Sequence, residues 1–305
     1  SNVKVRCSSI IALKAIVNNS DIGEFVRSIN QDLLRFSVDE NLIVRHHFYS
    51  FVSKYVTNQL FYVDVNENVR FVVNFSKELL DFDPKTAIFG CKIIRNCLND
   101  NFFNIPFSQE EFFSILNAFF IQFDRPDINE LEFNEFLRKA IIELLRLKSS
   151  DEVSKQFCIE LFNKIREFAE KNMNEQLSAV LSIFSHCLGT IRSFLNYNYD
   201  EFIEESFNFI ISLLPRRNDV QNIMQTIGNM FITFPTILEY HNIDELLNCL
   251  SSSLSSNNQK LIMGSTIVIG DIFRNDIKKV IEYVPTFCSK IIENIENDDL
   301  PNKIV

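Results

Sequence analysis

The stretch from Asn258 to Asn297, NQKLIMGSTIVIGDIFRNDIKKVIEYVPTFCSKIIENIEN, decides the fold. Its apolar residues recur at helical spacing and predict two amphipathic helices joined by a very short turn, one over Gln259 to Phe273 and one over Asp276 to Glu296. Proline lacks an amide hydrogen and clashes with the preceding turn, so Pro285 either kinks the second helix or marks where it begins in earnest. Each helix is too apolar on one side to stand alone in water, so the pair requires a neighbouring pair on each flank.

The rest of the chain supplies such pairs. A lone helix over 3–18 is followed by pairs at 21–37 with 40–57, 67–81 with 84–98, 108–122 with 132–147, 151–171 with 174–194, 200–214 with 218–233, and 242–255 with 259–273. Asp21 is placed to cap one helix, Ser108 and Glu111 form a capping-box pattern, and Pro84 suits a first helical position. The second helices begin near residues 3, 40, 84, 132, 174, 218 and 259, a spacing close to the roughly 40–47 residues of HEAT and armadillo repeats. Only 6 Gly and 7 Pro in 305 residues argue against a turn-rich β protein. The expected fold is all-α: one α-solenoid of about seven antiparallel helix pairs over 1–305, starting and stopping inside a repeat.

Two motifs carry a family resemblance. G-D-I-F-R-N-D-I from Gly270, followed by Y-V-P-T-F-C-S-K-I-I-E-N-I from Tyr283, resembles a late HEAT repeat of importin-β, with Gly270, Asp271, Arg274, Pro285, Phe287, Cys288 and Asn294 in the pattern's positions. D-E-N-L-I-V-R, Asp39 to Arg45, resembles the HEAT signature at the start of an inner helix, and V-K-V-R at Val3 to Arg6 resembles its tail. In that signature the Asp caps the helix and the Arg reaches a carboxylate of the next repeat. D-V-N-E-N-V-R, Asp64 to Arg70, has the same spacing but falls too soon for a whole repeat.

The resemblance implies a nuclear transport receptor of the importin-β (karyopherin-β) family. Such proteins bind basic cargo or importin-α on inner helices, the GTPase Ran within the arch, and nucleoporin Phe-Gly repeats in grooves between outer helices. It implies residence in cytoplasm, nucleus and nuclear pore, no cofactor and no catalysis. The outer-helix positions that would take Phe-Gly repeats are Phe25, Val26, Ile29, Phe71 and Phe75. The absence of Trp and of a long acidic loop departs from the family and implies a fragment or a divergent member.

Read without the resemblance, the residues favour binding over chemistry. A net charge of -10 disfavours nucleic acid and anionic membranes. No apolar run reaches membrane-spanning length. Seven cysteines without a C-x-x-C read as reduced core thiols, and His46–His47 and His186–Cys187, as sequence neighbours on helices, diverge too far to share a metal. No phosphate-loop, dinucleotide, zinc-protease or hydrolase motif occurs. Gly264 and Gly270 suit close helix approach. The pairs Phe102–Phe103, Phe112–Phe113 and Phe119–Phe120 must each send one ring away from the other, into gaps between repeats or into a surface groove. A general HEAT scaffold unrelated to transport is the alternative function, and an enzyme carried on a solenoid body is a third class.

Overall fold

A computed structural model describes residues 2–17, 22–56, 61–62, 64–98, 108–148, 151–191, 200–214, 220–234 and 243–296. Asp21, Phe102–Phe103, Arg216–Arg217, His241, Asp298–Asp299 and the loop candidates 99–107 and 195–199 lie outside these residues. Among the described residues there are fifteen α-helices and no strand. The fold is an all-α solenoid of antiparallel helix pairs, and it divides into two compact units, Ser1–Ser149 and Ser150–Val305.

In the first unit, α1 (Val3–Val17), α4 (Leu42–Tyr55), α6 (Pro84–Leu98) and α8 (Leu131–Lys148) stack side by side as one layer. α2 (Gly23–Ser28) and α3 (Asn30–Leu34) precede α4, and a second layer holds α5 (Val65–Leu80) and α7 (Gln109–Ile121). Within it α5 packs on α7, and across the layers α5 pairs with α6 and α7 with α8. The second unit repeats the scheme. Here α10 (Asn174–Ile191), α12 (Val220–Thr233) and α14 (Gln259–Asp276) stack, and each pairs with the helix before it: α9 (Asp151–Glu170), α11 (Asp200–Leu213) and α13 (Ile243–Leu254). A 3-10 segment over Ile277–Tyr283 follows α14, and α15 (Val284–Glu296) then packs on α13. The last helix therefore begins at Pro285's predecessor, where proline's missing amide costs no helical hydrogen bond.

Local chemistry sets the helix ends. Ser108 and Glu111 form the full capping box of α7, and Asp64 caps α5 by accepting from the Glu67 amide at 3.0 Å. Asn172 adopts φ 56° after α9; the Met173 amide donates to the Phe168 carbonyl and the Asn172 amide to Ala169, a Schellman stop that turns the chain into α10.

One expected helix is broken. The single helix read over 21–37 is α2, α3 and a 3-10 turn over Arg35–Val38, because Ile29 leaves helical geometry at φ −118°, ψ 12°. Ser28 bonds back to the Phe25 carbonyl at 2.7 Å and Asn30 reaches toward the Phe61 carbonyl at 3.4 Å, so side chains on both sides of Ile29 compete with the backbone ladder.

Polar contacts bind repeat to repeat. Asn96 donates to the Ser53 carbonyl at 2.6 Å, Asn222 to the Ser178 hydroxyl, Asn229 to the Ser185 hydroxyl, and Asn294 to the Leu254 carbonyl at 2.8 Å. These partners stand 40–44 residues apart in sequence, so the repeat period is also written in hydrogen bonds. The expected Arg–carboxylate ladder exists one step earlier than Arg45. Arg6 of α1 meets Asp39 through Nε at 2.8 Å and Nη2 at 3.0 Å, while Arg45 turns back onto the carbonyls of Asp39 and Glu40 at 2.5 and 3.3 Å. Asn41, not Asp39, caps α4. Asp39 accepts the Asn41 amide at 2.9 Å, and that bond together with Arg6 holds its carboxyl below the usual carboxylate range.

His46 links the next two repeats. Its Nε2 lies 3.0 Å from the Thr86 hydroxyl, which itself donates to Asp83 at 2.8 Å. A hydroxyl has one hydrogen, so His46 is the donor in the first bond. Burial, together with the cations Arg45, His47 and Lys85, lowers the His46 pKa below 6.5 against the pull of Asp83. The unfolded chain therefore takes up the proton more readily, and this contribution to stability is whole above pH 6.5 and lost as the pH falls toward the lowered folded value. His46→Gln, which keeps a donor for Thr86, is expected to show a shallower fall in melting temperature between pH 7 and pH 5 than the wild type. Parallel curves would assign the acid sensitivity elsewhere.

Candidate protein-binding groove

A cleft of about 430 Å³ lies between the α3–3-10 segment and α5, in the first unit. Two of the five sequence-predicted residues form its aromatic wall. Phe71 and Phe75, one turn apart on α5, stack with centroids 5.3 Å apart and planes at 17°. Phe75 is buried against Phe48 and Tyr49 at 6.3 and 5.8 Å, so it forms the floor. Phe71 is half-buried, braced by Phe61 at 4.9 Å and Tyr62 at 5.8 Å, and keeps an edge toward the cleft.

Leu34 and Ser37 supply the facing wall. Tyr49 fixes that wall by donating its hydroxyl to the Ser37 carbonyl at 3.0 Å. Glu67, Arg70, Asn74 and Glu78 line the remainder, so an aromatic floor carries a polar rim of both signs. Arg70 and Asn74 also line a more polar cleft between α5 and α7 that includes Ser108, Glu110, Glu111 and Ser114.

The other three predicted residues do not line this cleft. Phe25 is 53% exposed, Val26 is 0% exposed, and Ile29 is half-buried at the helix break. Val26 is a core residue and no surface contact; with the helix broken at Ile29, Val26 and Leu33 both lie inside. The paired phenylalanines split as expected where described: Phe112 and Phe119 are buried, Phe113 is exposed and Phe120 half-buried.

The residues of the Gly270–Asp271–Arg274 signature lie together near the C-terminal end of α14. Asp271 is buried on α14 beside Gly228 of α12, where an added methyl would stand 2.9 Å from the carboxylate. Burial raises the Asp271 pKa, opposed by Arg274 at 3.1 Å. Gly264 faces Met224, whose Cβ would lie 3.1 Å from an added methyl, so this glycine does permit close helix approach. Gly270 faces open space and does not.

The described residues contain no group of three His, Cys, Asp or Glu side chains able to hold a metal ion. In the Asp83–Thr86–His46 chain the hydroxyl gives its hydrogen to the carboxylate and sits buried, which makes it a tether and not an activated nucleophile. All seven cysteines are free thiols; Cys91, Cys97, Cys158 and Cys187 are buried, and burial pushes the pKa values of Cys91, Cys97 and Cys158 up, away from reactivity. No described helix is long and apolar enough to cross a membrane.

No family model and no curated protein matches the sequence. Among solved structures, a designed armadillo repeat protein aligns at 12% identity over 79% of this chain and 98% of its own, with a TM-score of 0.40. An engineered protein aligns at 13% identity over 79% and 97%, also at 0.40, and another at 9% over 100% and 83%, at 0.37. The solenoid assignment rests on the helix pairs and their stacking, as set out above.

Proposed function

We propose that this chain is a protein-binding solenoid of the nuclear-transport-receptor type, and that the groove at Phe71 and Phe75 takes the phenylalanine side chains of Phe-Gly segments. The observation that carries the reading is the aromatic floor under a polar rim, set between the α3–3-10 segment and α5. An incoming ring would meet the edge of Phe71 and the apolar side of Leu34, the offset and edge-on geometry that aromatic rings favour. The polar rim suits a weak partner whose flanking backbone stays hydrated. Ran in its GTP form and basic cargo or importin-α are the further partners this reading carries, with exchange between cytoplasm and nucleus as the setting. Binding alone is the activity; no reaction is assigned to it.

The test is capture of the folded chain by a nucleoporin Phe-Gly fragment beside a Phe-to-Ser control, read together with binding to Ran loaded with GTP or GDP. Phe-dependent capture is the expected result. Phe71→Leu, which keeps apolar bulk but loses the ring, should weaken capture several-fold while lowering stability by only about 1 kcal/mol. Equal capture of both peptides, or silence from a folded sample, would overturn the reading in favour of a general helical scaffold.

A further inference from the structure

We draw no further inference here: the strongest candidate, the apolar outer face of α14, where Met263 and Ile267 are exposed and Gly270 faces open space, is an unpartnered helix face, and nothing in the structure shows what covers it.

Discussion

Gly90→Ala is expected to destabilise the first unit by about 1–2 kcal/mol, although alanine is the better helix former. Gly90 lies on α6 where it crosses α5, and a methyl there would stand 2.7 Å from the Ser76 carbonyl oxygen, 3.2 Å from Leu80 Cγ and 3.4 Å from Leu79 Cβ. The first of these neighbours is helix backbone. It cannot swing aside as a side-chain tip would, so the two helices must part and loosen the packing of Leu79, Leu80 and Ile93, all buried. Overpacking of this kind costs about 1–3 kcal/mol and occasionally more, against roughly 1 kcal/mol gained by replacing glycine within a helix. Gly270→Ala separates the two effects. Nothing lies within 4 Å of its added methyl, so only the helix gain remains, and stability should rise by about 0.5–1 kcal/mol. Denaturant midpoints of the two variants should move in opposite directions. A loss in both would mean that the Gly-Asp signature needs its glycine for a contact of its own.

The same pair of glycines shows what a sequence can and cannot announce. Both sit in apolar helices, and only the neighbouring helix decides which one matters. Helix positions are a local matter, and they were legible. The second helices of the pairs, expected from 3, 40, 84, 132, 174, 218 and 259, begin at Val3, Leu42, Pro84, Leu131, Asn174, Val220 and Gln259. Caps, turn residues and apolar spacing act within a few residues, so they can be read from one chain. Contacts between repeats were not legible in the same way. Arg45 and Arg6 stand at equivalent positions of one motif, yet only Arg6 meets a carboxylate of the next repeat, while Arg45 finds nearer carbonyls. The Asn–Ser contacts went unread although their offset of 43–44 residues matches the repeat. That offset in residue type was the available signal. Phe25 and Val26 illustrate the finest scale: one step along a helix turns a side chain by about 100 degrees, which separates an exposed ring from a core valine.

Asn68→Ala should cost about 3 kcal/mol and should weaken the Phe71 groove with it. Asn68 is buried, and its side chain serves three backbone groups at once. Its amide donates to the Tyr62 carbonyl at 2.6 Å and to the Asp64 carbonyl at 2.9 Å, and its oxygen accepts the Tyr62 amide at 3.0 Å. Truncation leaves the Tyr62 carbonyl and amide without this partner, while the Asp64 carbonyl keeps the backbone amide of residue 68 at 3.2 Å; each buried polar group so stranded costs about 1–3 kcal/mol, less whatever water recovers. Asn68→Asp is the sharper companion. It keeps an acceptor for the Tyr62 amide but turns a carboxylate toward two carbonyl oxygens, so it should be at least as harmful as alanine. The consequence reaches the groove because residues 61 and 62 are what this side chain holds. Phe61 and Tyr62 are the rings that brace Phe71 from behind. Loss of the tether should thus reduce both melting temperature and Phe-Gly capture, whereas Phe71→Leu should reduce capture with little change in melting. If Asn68→Ala lowers stability but leaves capture intact, the aromatic wall does not depend on its support, and the binding surface must lie elsewhere on the chain.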